Sequence, residues 1–263
     1  MAADVSHGRA IAIAQPTFLP WIGWFDLADQ VDLMVILDDV SFSKQSWQQR
    51  NRMRTTKGLE FLTVPVKTSG RMGQLISDCE LAALPFVDKL VKSLRINYAK
   101  APFFAESIEG FEAALYDGVA SGRLVELNCS LINWMAGQLG ITTPMVRAST
   151  LGIEGQRGEH VAAICEHMGA NRYISPAGSE DYLIEDRLAF DRRDISVVLQ
   201  AYEHPQYAQC FNPFESHASA VDLIFNTGPT APQLMRSGRR PPRVLGMALS
   251  THSQELSREN PKS

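Results

Sequence analysis

Cations, amides and an indole concentrate in one short stretch of the chain. Lys44, Arg50, Arg52 and Arg54 place four positive charges within eleven residues, with Trp47, Gln48, Gln49 and Asn51 among them. Guanidinium and ammonium groups hold phosphate through charge-assisted hydrogen bonds, and an indole offers a flat face to a base or sugar ring. The stretch therefore reads as a place for a phosphorylated ligand that carries a ring. Its other reading is a solvated helix with Trp47 packed inward. Asp38 and Asp39 stand just before it, at the end of the apolar run 33–37 (LMVIL). Adjacent strand residues point to opposite faces, so only one of the two carboxylates reaches a given ligand if the strand continues through both.

Three further clusters carry polar chemistry. Gln15 opens an aromatic segment containing Trp21 and Trp24, which at a spacing of three fit either a packed core or a stacking platform. His204 and Tyr207 follow the apolar run 195–200; His204 is the histidine best placed as a general base near neutral pH, or a loop histidine ordered by Pro205. Gly178 and Ser179 follow a short strand and open a helix, whose N-terminus suits an anion. His160 and His167, seven apart on one helix, are too widely spaced for an i,i+4 chelate and read as surface or half-buried histidines. No metal site is expected. The phosphate-loop, dinucleotide-binding, nucleophile-elbow and zinc-protease motifs do not occur in the chain.

Placing these clusters requires strands that alternate with helices. Strands are expected at 10–14 (AIAIA), 33–37, 60–66, 144–148, 172–175 and 195–200, with Pro65 pushing the end of the third to an edge or a bulge. Helices are expected at 21–30, 85–98, 102–116, 125–139, 159–168, 182–190 and 219–226. Such alternation implies an α/β fold with a mainly parallel sheet and helices on both faces. It divides into the N-terminal half of the α/β domain (1–84), a helical insertion or subdomain (85–142), the C-terminal half (143–234) and a basic tail (235–263). The tail, with Arg236, Arg239, Arg240 and Arg243, reads as loosely held or disordered. In a parallel sheet ligands bind beyond the carboxyl ends of the strands, where Gln15, Asp38 and Asp39 fall.

The 263 residues are 45% apolar with a net charge of −4, against the basic face expected of a nucleic-acid binder. Four separated cysteines form no CxxC pair. No apolar run approaches the ~18 residues of a membrane span, and the start does not read as a signal peptide. A reduced, cytoplasmic protein is expected, with no membrane insertion; monomer and homodimer both stay open.

The clusters QPTFLPWIGWFDL (15–27), LDDVSFSKQSWQQRNRMRT (37–55) and FLTVPVK (61–67) together resemble the WbqC-like family. Support continues through NYAKAPFF (97–104), SPAGSEDYL (175–183), YEHPQY (202–207) and SAVDLIFNTGP (219–229). The resemblance implies a setting in surface-polysaccharide, lipopolysaccharide or amino-sugar biosynthesis. The order of the first elements is also distantly similar to HUP-type nucleotidylyltransferases, which implies a Rossmann-like sheet. Their HxGH motif is replaced here by Trp21-Ile22-Gly23-Trp24, and tryptophan does not stabilise a phosphoryl oxygen as imidazolium does.

These implications combine in a transferase that places an acyl or aminoacyl group on the amine of a nucleotide-linked amino sugar. Lys44, Arg50 and Arg52 would bind the diphosphate, a tryptophan would stack on base or sugar, and His204 or Asp39 would accept the amine proton. No cofactor is assigned beyond the activated acyl or aminoacyl donor this implies. The alternatives are nucleotidyl or adenylyl transfer, and a non-catalytic binding module in a glycan-assembly complex.

Overall fold

The computed structural model describes residues 8–245. The chain begins β1 (Ala10–Ala14), α1 (Ile22–Asp29), β2 (Leu33–Ile36), β3 (Arg50–Thr55) and β4 (Gly58–Thr63). Three long helices follow: α2 (Phe86–Tyr98), α3 (Phe104–Val119) and α4 (Leu124–Gln138). The second half runs β5 (Met145–Arg147), α5 (Arg157–His167), β6 (Arg172–Ser175), α6 (Glu180–Glu185), α7 (Arg187–Asp191) and β7 (Ser196–Tyr202). It closes with α8 (Ala220–Thr227), α9 (Ala231–Ser237) and β8 (Arg239–Val244).

Six strands form one sheet in the order β5-β2-β1-β6-β7-β8, parallel throughout except for the antiparallel β7–β8 pair. Numbered among themselves, they run 3-2-1-4-5-6, the doubly wound Rossmann order. The expected α/β class and mainly parallel sheet are therefore present. Side-chain alternation divides the core in two. Ala12, Met34, Ile36, Ile174 and Val198 pack with α1, the three long helices, α8 and α9. Ile11, Ile13, Leu33, Val35, Tyr173, Val197 and Leu199 pack on the other face with α5, α6 and α7. Strands buried on both faces in this way read as continuous apolar runs.

Two expectations need correction. Strand 60–66 was expected to extend the parallel alternation, but β4 instead forms an antiparallel hairpin with β3, outside the main sheet. The cation-rich stretch is thus partly a strand, with Arg50, Arg52 and Arg54 alternating with Asn51, Met53 and Thr55 at period two. The basic tail is also ordered over part of its length. Residues 239–244 add β8 to the sheet edge, and the remainder, 246–263, lies outside the described residues. The physical reason is a pair of counter-charges on α1, the buried Asp26 and the partly buried Asp29. Arg239 donates to Asp26 (2.8 Å) and Asp29 (2.5 Å), and Arg236 donates to Asp29 (2.9 and 2.7 Å).

Asp26 is fully buried, and burial raises its pKa against the hydrogen bonds of Gln200 and Arg239. Arg239→Ala strips this carboxylate of a charge-assisted partner and is expected to lower stability by about 2 kcal/mol. Arg240, whose partner Glu203 is exposed, is expected to cost under about 1 kcal/mol on conversion to alanine. Urea unfolding of the two variants checks the order, and equal losses would contradict the anchoring role.

Candidate functional site

A cavity of about 780 Å3 opens at the carboxyl edge of the sheet. Gln15 follows β1, Leu37 and Asp39 follow β2, Gly155 to Arg157 lead into α5, and Tyr182 lies on α6 beyond β6. Its size falls within the ~300–1,000 Å3 of ligand sites, and its place at the strand ends is where open α/β sheets bind ligands.

The cavity contains a carboxylate–imidazole pair. His160 Nε2 lies 3.1 Å from Asp39 Oδ2, and His160 is only 5% exposed. Asp39 Oδ1 and His160 Nδ1 are buried and have no hydrogen-bond partner among the described residues. With Nε2–H donating to Asp39, the imidazole lone pair falls on Nδ1, the geometry of a base oriented by a carboxylate. Gly155 (φ +153°) permits the close approach of the preceding loop, since a Cβ there would lie 2.8 Å from His160 Cα. The reading of His160 as a surface or half-buried histidine is thus overturned. His167, in the last turn of α5, is exposed at the opposite edge.

The two aspartates part company as the strand pleat requires. Asp38 is fully buried and was expected to touch substrate, but Arg147 Nε (2.6 Å), Ser149 N (2.9 Å) and Ser149 Oγ (2.8 Å) enclose it. Its carboxylate fastens β2 to the end of β5, while Asp39 faces the cavity. Gln15 also lines the cavity and is fixed by Gln48 Nε2, which donates to Gln15 Oε1 at 2.8 Å.

A second, smaller cleft of about 230 Å3 is lined by Thr17, Trp21, Trp24, Trp47, Asn51, Arg52 and His217. Five of these residues were expected at a site; His217 and Thr17 were not. Asn51 Nδ2 donates to Phe18 O and its Oδ1 accepts from Arg52 N, which clamps the hairpin onto the aromatic segment. Trp21 stacks on His217 with ring centroids 5.0 Å apart. Trp47 is 48% exposed, with the Arg52 guanidinium 5.4 Å from its ring, so the alternative of an inward-packed Trp47 on a helix does not hold.

The expected diphosphate cations do not converge. Lys44 is exposed and lines neither cavity, and Arg50 lies 4.5 Å over the Phe61 ring. Gly178 is exposed and also lines neither cavity; the first turn of α6 carries its own acids, Glu180 and Asp181, which disfavour an anion there. Tyr207 is turned inward, its hydroxyl donating to Asp222 at 2.7 Å. His204 sits in an aromatic stack with Trp21 and Tyr207, its Nδ1–H donating to Pro205 O at 2.9 Å. Burial pushes its pKa down to about 4, opposed by the Pro205 carbonyl and aided by His217. It lines neither the cavity nor the cleft.

The described residues hold four free cysteines and no His/Cys/Asp/Glu cluster that could hold a metal. Among them, no helix is long and apolar enough to cross a membrane. A family model described as the WbqC-like protein family matches residues 15–234. The uncharacterised Mycobacterium tuberculosis protein Rv1507c is 33% identical over 233 residues, covering 88% of this chain and all of the relative. No solved structure gives a significant match.

Two measurements test this arrangement. His204 has a folded pKa below its ordinary 6.5, so the unfolded chain binds more protons between pH 6.5 and 4. Stability is therefore present above pH 6.5 and falls as pH drops toward 4. His204→Phe keeps a ring and removes the titration, so its urea midpoint is expected to fall less than that of the parent; parallel curves would contradict the burial. A Cβ on Gly23 would lie 2.2–2.7 Å from the Trp21 ring. Gly23→Ala is expected to displace that ring and weaken the near-ultraviolet circular dichroism while leaving the far-ultraviolet spectrum intact.

Proposed function

The chain belongs to the WbqC-like protein family, and on that footing we propose that it is a transferase acting at the Asp39–His160 cavity. The reaction is acyl or aminoacyl transfer to the amine of a nucleotide-linked amino sugar. The observation that carries this reading is the imidazole held by Asp39 with an unpartnered Nδ1, beside a cavity large enough for an extended ligand.

The chemistry follows from charge and geometry. Asp39 and Glu154 supply two carboxylates to the lining for the amine, and Arg157, paired with Glu185 and Asp186, is the arginine in the same lining that faces the phosphates of the nucleotide. The ammonium first releases one proton to solvent, and the neutral amine loses a second as its nitrogen attacks. His160 takes this second proton while Asp39 stabilises the imidazolium that forms. The nitrogen lone pair then forms a C–N bond to the activated carbonyl carbon, and the bond from that carbon to its leaving group breaks. The leaving group departs with the bonding pair and takes a proton back from His160. Gln15, tied to Gln48, offers a fixed amide for sugar hydroxyls, and the exposed Gln156 a second one at the rim.

A thermal-shift panel of nucleotides, amino sugars and nucleotide-linked amino sugars tests binding. Saturation at about 100 times Kd adds about 2.7 kcal/mol, which raises Tm by several degrees at about 2–4 °C per kcal/mol. Mass spectrometry with activated acyl donors then tests turnover. His160→Gln is expected to retain the thermal shift and lose at least about 100-fold in rate. Unchanged turnover in His160→Gln, or no shift with any nucleotide-linked amino sugar, would defeat the proposal.

A further inference from the structure

We propose that the tryptophan-lined cleft is a second binding site, and that it takes a sugar acid: one pyranose ring bearing a carboxylate. Three of the four tryptophans of the chain, Trp21, Trp24 and Trp47, line this one cleft. Indole faces pack against the C–H face of a pyranose, and the rim supplies groups for its hydroxyls. Thr17 has no hydrogen bond to its hydroxyl among the described residues, and Asn51 keeps one N–H beyond the bond to Phe18.

Arg52 identifies the charge. Its neighbour two residues on, Arg54, is buried, lies 3.3 Å from Glu215 and donates to the carbonyls of Thr55 and Pro213. Arg52 has no such carboxylate among the described residues; its guanidinium lies over Trp47, and its buried Nε–H has no acceptor. Trp24 Nε1–H, also buried, likewise lacks an acceptor. A buried donor without a partner is costly, so an acceptor that reaches these groups gains on binding. Both orphans are donors, and one belongs to a cation, so the complement is an anion with acceptor oxygens.

Arg52 is the one lysine or arginine in the lining, which matches one carboxylate in the fork geometry of guanidinium better than a multiply charged phosphate. The cleft, at about 230 Å3, lies below the range of extended ligands and suits a single ring. It shares no lining residue with the Asp39–His160 cavity, so the two readings stand or fall separately.

Sodium D-glucuronate is the probe, titrated into the full chain at fixed ionic strength and followed by tryptophan fluorescence and saturation-transfer NMR. Glucose and benzoate are the comparators. Saturable binding of glucuronate is expected, with glucose and benzoate each at least tenfold weaker. Arg52→Gln is expected to weaken glucuronate at least tenfold, and Trp134→Phe, which removes the tryptophan outside the cleft, to leave the response intact. Trp47→Ala, at an exposed position, gives a second test that does not depend on Arg52→Gln folding and is expected to lose the response. Failure of glucuronate to saturate, equal binding of glucose, tighter binding of benzoate, or an unaffected Arg52→Gln would each overturn the proposal.

Discussion

The buried carboxylate of Asp222 is the tie on which the walls of the aromatic cleft depend. Tyr98 of α2 donates to it at 2.9 Å, Tyr207 at 2.7 Å and Gln209 at 2.8 Å. The backbone N–H of Arg54 on β3 in turn donates to the Tyr98 hydroxyl at 3.0 Å. One side chain on α8 thereby joins a long helix, the hairpin and the loop that carries His204. Burial raises the Asp222 pKa, against the pull of these hydroxyl and amide donors and the nearby Arg54 charge. Such a group is tolerable only when its lone pairs are occupied, which makes the network an all-or-none requirement. The Tyr207 hydroxyl is spent on this bond.

The same logic distinguishes the two aspartates after β2. A carboxylate enclosed by Arg147 and Ser149 is a fastening, whereas Asp39, in the lining of a cavity, holds an imidazole and keeps one oxygen unpartnered. Identical residues in adjacent positions thus take opposite roles because the strand sends them to opposite sides. The fastening also protects the other role: by fixing the exit of β2 to β5, Asp38 holds Asp39 in place opposite α5.

The sheet was legible because its strands are short apolar runs, and residues 33–36 and 172–175 are found at or within the expected spans. The long helices were legible from the spacing of Leu90, Leu94 and Tyr98. The hairpin was less legible because β3 carries three arginines in RNRMRT, so its period-two alternation is not one of apolar against polar residues. The spacing of His160 to His167 rules out a chelate but carries no information on which of the two reaches the sheet edge. The signal for His160 was position: the first turn of a helix that follows a parallel strand lies at the ligand edge, and the last turn does not. The tail resisted reading since its partners, Asp26 and Asp29, lie more than 200 residues away in sequence.

That distant pairing gives the order of synthesis a physical meaning. The first helix presents Asp26 to an apolar interior, yet the guanidinium that answers it belongs to residue 239, among the last described residues to be made. A nascent chain can assemble β1, α1 and β2 early, but in that assembly Asp26 has the amide of Gln30 and no counter-charge until β8 docks beside β7. Uncompensated buried charge is costly. A chain terminated before residue 239 therefore loses the β7–β8 pairing together with this guanidinium, and the carboxylate at the heart of its N-terminal layer is left to the amides of Gln30 and Gln200.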